Sequence, residues 1–449
     1  MDARRRIAAF TVAIASFAAL ALPGVARAGG GLIPEMGTRK TAMGAMVGRP
    51  DELAAIYHNP AGLTMTPGTN LYVNAGIGLV STDLRLRPWS GSGNYINAPV
   101  DSDGYYPRTE PSRAFGVVPM LVASTNLFSE KIAVAAGFYL PNAVGAAFDA
   151  GSVTRYHLID SYAVTGAATV AIAYHPIRSL HVGVGVSLLY MRLFGLRKLF
   201  PVLHGTDLSG LLGSQSELEL HGEGFSAGVT LGVVWRPIRA LSFGAAVISR
   251  SDFTLEGDVE VRLGKDAAAR GKSLSGTQRT DYMLPWTVQL GVNWDVTRWL
   301  ELGGEFRIWL YDGQLEEQRT EIDGIDVVRE LVTPKDYKNS WHVSGGAKVT
   351  LPPLPALELM AGFHYDRSPA PDANVSMEAP TFTHVGFHSG LRYRFNSTLR
   401  MAATYVHYRY LQRSTDESSG TPPSNFVGSG SNNIFTLIVE LCFGRGLGV

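Results

Sequence analysis

The chain of 449 residues contains a single cysteine, Cys442, which excludes an intramolecular disulfide and any metal site built from several thiolates. Charge is also scarce: Asp, Glu, Lys and Arg make up 17% of the residues, against about 25% in an average protein. The 39 basic and 39 acidic side chains cancel, so no net field gathers nucleic acid, and no basic patch with interleaved aromatics supports such a partner. Beyond the N-terminus no segment approaches the roughly 18 unbroken apolar residues of a membrane-spanning helix. No blade-length repeat recurs either, which removes the pattern expected of a propeller. Glycine is plentiful, at 50 residues, and together with the low charge it points to turn-rich β structure.

Arg4, Arg5 and Arg6 precede an apolar run over residues 7–22, followed by Pro23-Gly24 and by Ala26-Arg27-Ala28. A basic start, an oily middle and a small-x-small site describe a secretory signal peptide, residues 1–28, cut after Ala28. An N-terminal anchor helix is the alternative, for which the run is short.

From Leu71 onward apolar residues alternate with period two, the mark of strands with different surroundings on their two faces. Leu180, Val182, Val184, Val186, Leu188 and Tyr190 share one face, with His181, Gly183, Gly185 and Ser187 on the other. Leu300, Leu302, Phe306, Ile308 and Leu310 likewise oppose Glu301, Glu305 and Arg307. This reading gives fourteen strands, near 70–80, 113–124, 131–139, 162–175, 180–192, 224–236, 241–251, 284–296, 299–311, 340–350, 356–366, 384–395, 398–410 and 433–443. Seven long connections alternate with six short turns, the layout of an up-and-down outer-membrane barrel with long loops outside and both termini periplasmic. Closure is what lets a sheet pair all its backbone groups in lipid. Three tight turns share a pattern, "YHPIRSL" at 174–180, "WRPIRAL" at 235–241 and "WDVTRWL" at 294–300. Each sets an aromatic ring at the edge of the oily band and an Arg in the turn, as barrel girdles do.

Residues 29–69 precede the first strand of the barrel at 70–449. In "GRPDELAAIYHNPAGL", Pro50 and Asp51 begin a helix whose body holds Leu53, Ala54, Ile56 and Tyr57. Pro60 bars Asn59 from helical geometry and so ends it, and Gly62 frees the chain to turn into the first strand. A compact helical piece at the mouth of a wide barrel can plug it, or merely cap one end.

The segment Asn59, Pro60, Ala61, Gly62 resembles the hatch of the FadL-type transporters for long-chain fatty acids and hydrocarbons. Residues 283–312 resemble that family's paired strands. Residues 357–395 match its spacing at Gly362, Tyr365-Asp366, Ser368-Pro369, Pro371-Asp372 and Pro380. The stretch before Asn59 and the residues 444–449 after Phe443 depart from the family pattern. The resemblance implies a fourteen-stranded barrel with a small helical hatch. It also implies passive uptake of an apolar molecule: capture by outer loops, transfer to an internal pocket, and release through a side opening in the third strand.

For capture, Leu196, Leu199, Phe200, Leu203, Leu211 and Leu212 form an apolar cluster in a loop that should face water, or pack that loop on its neighbours. Gly137 and Pro141 are the candidates for the side opening, because Gly weakens a strand and Pro cannot donate to its ladder; a plain loop boundary also accounts for Pro141. Arg307, Lys348, Arg392, Arg394 and Arg400 are lumen-facing candidates for a ligand headgroup, unless they belong to a lumen-filling ion network with Glu301, Glu305, Glu358 and Glu440. No local signature sets a nucleophile beside a base, and no metal or cofactor motif is complete, so the reading is a non-enzyme without cofactor. The expected partners are a hydrophobic small molecule, outer-membrane lipid and lipopolysaccharide, with the protein a monomer. A porin for polar solutes and a barrel lipid hydrolase are the competing functions.

Overall fold

The structure, a computed structural model, describes residues 32–88, 98–111, 115–126, 129–200, 202–203, 206–207, 216–264, 274–326, 328–378 and 380–444. The expected signal peptide at 1–28 lies outside the described residues. Fourteen strands form one closed antiparallel barrel. They are β1 (Thr69–Leu86), β2 (Phe115–Thr125), β3 (Ile132–Ala147), β4 (Asp160–Ile177), β5 (Leu180–Lys198) and β6 (Glu217–Ile238), then β7 (Leu241–Ile248 continued by Ser251–Arg262) and β8 (Ser275–Leu284 continued by Trp286–Asp295). The ring goes on with β9 (Leu300–Leu310), β10 (Ser340–Thr350), β11 (Leu357–Asp366), β12 (His384–Arg394), β13 (Leu399–Thr415) and β14 (Phe426–Phe443). Each pairs with its neighbours in sequence, and β14 pairs with β1 from Thr69 opposite Phe443 to Leu86 opposite Phe426, which closes the ring.

The outward set is oily and exposed, including Val170, Leu188, Phe225, Leu231, Phe387 and Leu437. Phe225 and Leu437 are 66% and 63% exposed, a placement that suits lipid and not water. The inward set holds the buried charge: Glu301, Glu305, Arg307, His364 and Arg392. Among the described residues no helix is long and apolar enough to cross a membrane.

The strands outrun the oily pattern. Residues 252–283, expected as a loop, contain Ser251–Arg262 paired with Ser275–Leu284. In that ladder Phe253, Leu255, Val259 and Val261 are buried inward while Asp252, Glu256, Asp258 and Glu260 are exposed. The two faces have exchanged character because the sheet here has left the lipid, so alternation survives but its oily side now points in. The expected loop 312–339 likewise contains a hairpin, Glu317–Asp323 with Glu330–Pro334.

Inside the barrel, residues 32–68 fold into a hatch with helix α1 (Thr38–Met43), helix α2 (Ala55–His58) and a 3-10 helix at Pro60–Met65. α2 stops where Pro60 requires it, with Asn59 extended at φ −161°. It starts later than Pro50-Asp51 suggests: Asp51 does not cap it but binds Arg49 Nε at 3.0 Å. Gly62 is also not a hinge, since a Cβ there would sit 2.1 Å from Pro50 O. It is required by close packing within the hatch.

The glycine excess finds its use in the lumen more than in turns. Where the hatch backbone lies against the wall, the inward residue is often Gly. A Cβ would fall 1.8 Å from Val47 O at Gly244, 2.3 Å from Gly48 N at Gly291, 2.2 Å from Met43 O at Gly362 and 2.5 Å from Ala61 N at Gly183. These contacts let backbone meet backbone, which any larger residue prevents.

Candidate functional site: a locked hatch, an oily cavity and a breach in the wall

The hatch is held by charge as well as shape. Lys40, fully buried in α1, donates to Glu305 Oε1 at 2.7 Å, to Gly44 O at 2.8 Å and to Ser344 Oγ at 3.3 Å. Glu305 Oε2 accepts the N–H groups of Met46 at 3.0 Å and Val47 at 3.2 Å. One β9 carboxylate thus grips both ends of the hatch's first loop. Arg39, next along α1, pairs with Glu301 of β9 and donates to Asn293 Oδ1 at 2.9 Å. Arg49 reaches Asp295 at 2.7 Å. Neither Arg39 nor Lys40 carries a sequence signal, since "TRKTAMG" reads as an ordinary polar helix until its neighbours are known.

The residues proposed for a ligand headgroup sit in or beside this lock. Arg307 donates to Gln289 Oε1 at 2.6 Å and faces His58 Nδ1 at 3.2 Å and Glu305 at 3.3 Å. Lys348 pairs with Glu301 at 2.6 Å, Arg392 with Glu358 at 2.5 Å, and Arg400 with Glu440 at 3.1 Å. Arg394 stands opposite Arg400 at the short-turn end of β12 and β13. Burial and the nearby Glu440 push the hatch carboxyl of Glu52 up to about 7. Burial and Arg307 hold His58 down to about 3, so it stays neutral.

Asn59 and Pro60 connect the hatch to the wall. Asn59 Oδ1 accepts Ala61 N–H at 3.3 Å and so opens the 3-10 helix, while its Nδ2 donates to Val47 O at 3.2 Å and Val233 O of β6 at 3.1 Å. Ala61 is wholly buried beneath Gly183.

Towards the long-loop end lies a cavity of about 130 Å³ lined by Val144, Leu193, Leu196, Leu218, Leu220, Met283 and Leu331, with Tyr282, Tyr311 and Tyr337 among them. Its cationic groups are Lys335 and Arg197. Lys335 donates to Ser376 Oγ at 3.2 Å, and Arg197 pairs with Glu378 at 3.5 Å. Burial lowers the Lys335 ammonium below its usual range, and a bound anion would offset that loss of hydration. Lys335 escaped sequence reasoning because it follows the loop hairpin, where nothing in "VTPKDY" marks it. A second cavity of about 230 Å³ adjoins, lined by Leu199, Phe200, His157 and Arg197. Of the six predicted capture residues, Leu196 lines the first cavity and Leu199 and Phe200 the second; Leu199 and Phe200 are buried and do not face water, because they pack their loop on its neighbours. The Leu203 side chain, Leu211 and Leu212 lie outside what the structure describes.

Between β2 and β3 the ladder stops short. Their ladder covers Met120 opposite Tyr139 to Thr125 opposite Val134 and no more. Yet β1 continues along β2 to Phe115, and β4 continues along β3 to Ala147. Pro119 ends the paired stretch on β2, and a bulge between Tyr139 and Asn142 places Pro141 where β3 turns away. From Tyr139 to Gly145 every residue is buried, so alternation has ceased. Inside the gap the hatch's first residues dock on β3: Ile33 N–H donates to Pro141 O at 2.9 Å and Leu32 bridges Asn142. Gly137 lies within the intact ladder, under Ile56 of the hatch.

A family profile described as "Outer membrane protein transport protein (OMPP1/FadL/TodX)" matches residues 19–443. The chain belongs to this family. As such it is an outer-membrane transport protein crossing by a β-barrel. Solved structures share the fold at low identity. A Pseudomonas aeruginosa FadL homologue is 16% identical over 92% of this chain and 100% of its own, with a TM-score of 0.78. The P. putida toluene transporter TodX is 16% identical over 91% and 98%, at 0.70. The Ralstonia pickettii toluene transporter TbuX is 16% identical over 92% and 99%, at 0.66. Among curated proteins no relative matches. Among the described residues no group of His, Cys, Asp and Glu is placed to hold a metal ion.

Proposed function

We propose that this OMPP1/FadL/TodX member carries out passive uptake of hydrophobic compounds, fatty acids or aromatic hydrocarbons. The observation that carries the reading is the oily cavity above a locked hatch, beside a wall breached between β2 and β3. A ligand enters from the long-loop end, occupies the cavity beside Leu196 with any carboxylate at Lys335, and exits sideways past Pro141 once Leu32 and Ile33 release β3. Water-filled conduction is disfavoured, because the hatch fills the short-turn half of the lumen and its anchors are buried. That disfavours the polar-solute porin.

The protein acts without catalysis. His364 Nδ1 lies 2.6 Å from His388 Nε2, and His388 Nδ1 lies 3.0 Å from Thr41 O, so these lumen histidines engage one another and the hatch instead of a serine nucleophile. In this reading residues 1–28 are a signal peptide, 29–69 the hatch and 70–449 the barrel. The protein is a monomer with periplasmic termini, set in outer-membrane lipid and lipopolysaccharide. Arg307, Lys348 and Arg392 serve the hatch lock, and Lys335 takes over the headgroup role.

Uptake of labelled oleate and of toluene is compared in cells with and without the protein. Faster accumulation of at least one is expected in cells that carry it. Equal rates for both in the two strains would refute the transport reading.

A further inference from the structure

The repeated aromatic-then-Arg turns have a use beyond anchoring. The turns after β2, β4, β6 and β8 are stitched side by side through the backbone. His175 N–H donates to Lys131 O at 2.9 Å, Arg236 N–H to Ser179 O at 2.7 Å, and Asp295 N–H to Ala240 O at 2.8 Å. The turns therefore form one continuous rim that carries Lys131, Arg178, Arg236, Arg239 and Arg298. Four of the five are exposed, Arg236 is half-buried, and none makes an ion pair among the described residues. The acidic groups of this arc are Glu130 and Asp295, and Asp295 is taken by Arg49 at 2.7 Å. The remaining turns differ: residues 351–356 and 396–398 hold no charge, and Arg400 beyond them is paired with Glu440.

Directly beside the arc, on the lipid side, stand exposed Tyr174, Ile177, Trp235, Ile238, Trp294 and Trp299. These rings and aliphatic chains mark where acyl chains give way to headgroups. Unpaired guanidinium groups at that level face phosphates, which they bind through charge-assisted, often paired hydrogen bonds. Five cations on a fixed rim, against the two carboxylates Glu130 and Asp295, make a surface selective for headgroups of net negative charge. The geometry points to a binding site for anionic phospholipids, of the phosphatidylglycerol and cardiolipin type, along the β2 to β9 sector at the short-turn surface. Assigning that surface to the periplasmic leaflet rests on the orientation under Proposed function; the binding itself does not.

The indole rings of the arc are built-in reporters. The full protein is reconstituted in phosphatidylcholine bilayers with a minor fraction of brominated phosphatidylglycerol or, in the control, brominated phosphatidylcholine, and tryptophan quenching is recorded. Stronger quenching by the brominated phosphatidylglycerol is expected. It should fall to the phosphatidylcholine level in R178Q/R239Q/R298Q, since each cation near a charged surface is worth about a fivefold change in affinity. These side chains are exposed, and a folded variant is verified by heat-dependent gel migration. Equal quenching by both lipids in the unaltered protein, or an undiminished preference in the triple variant, would overturn the proposal. Loss of the preference on adding inorganic phosphate, but not chloride at matched ionic strength, would overturn it too, by making free phosphate the ligand. The readout uses no transported compound, so a failed uptake experiment leaves it standing and the reverse holds.

Discussion

Glu305→Gln isolates the charge that locks the hatch. In the unaltered protein, Lys40 Nζ has four close polar neighbours: Glu305 at 2.7 Å, Gly44 O at 2.8 Å, Ser344 Oγ at 3.3 Å and His342 Nε2 at 3.4 Å. Of these, Glu305 is the carboxylate, and Arg307 lies 3.3 Å from it with a second positive charge. The amide keeps the shape and can still accept from Met46 and Val47, but it leaves Lys40 without a counter-charge in a site closed to water. Removing one partner of a buried pair costs about 3–5 kcal/mol. The barrel ladders do not depend on this pair, so the loss falls on hatch docking and raises the undocked population by about two to four orders of magnitude. A Met43→Cys probe in a Cys442→Ser background reports that population, because Met43 is buried while the hatch is docked. Maleimide labelling should accelerate by about a hundredfold or more in Glu305→Gln. Lys40→Met added to it should slow labelling part of the way back, since the apolar side chain removes one of the two charges that Glu305 balances. Labelling of Glu305→Gln at the unaltered rate, or no rescue by Lys40→Met, would refute the reasoning.

The same probe, normalised to a free cysteine at each pH, tests two opposing titrations. His58 is held down to about 3, so its share of docking stability is complete above pH 6.5 and is lost as pH falls, by about 3 kcal/mol at pH 4. Glu52 is pushed up to about 7, so its docked form favours the proton and loses stability as pH rises from 4.5 through 7. Docking should therefore be flat between about pH 4.5 and 6.5. Glu52→Gln should turn the plateau into a rise with pH, and a fall instead would show the sign to be wrong. Gly244→Ala places a methyl 1.8 Å from Val47 O; docking should weaken by about 1–3 kcal/mol or more, seen as faster labelling of Met43→Cys with unchanged heat-dependent migration of the barrel. Lys335→Met should slow oleate uptake by about tenfold or more, the worth of a charged hydrogen bond, while toluene uptake stays level; an equal fall for both would assign Lys335 a structural role.

The barrel was legible because its signal is local. Period-two alternation, a strict exchange of long and short connections, and a proline that ends a helix at Asn59 are all properties of a chain against its solvent, whichever strands become neighbours. The reading failed where the solvent changed: in Ser251–Arg262 the outward side turned acidic beyond the lipid, and oily alternation no longer distinguished strand from loop. Gly62 was misread for a related reason, since a glycine that admits Pro50 looks no different in sequence from one that permits a turn.

From the sequence alone came a closed ring with an oily outside and a small piece to stop it, since each follows from how single segments partition between water and lipid. Tertiary structure decided what the interior does. Arg39 and Lys40 meet Glu301 and Glu305 some 260 residues away, glycines of separate strands meet one hatch backbone, and Lys335 meets an oily cavity walled by residues from seven strands. Such contacts depend on which side chains share the lumen once the ring has closed, and a one-dimensional pattern carries no distance across it.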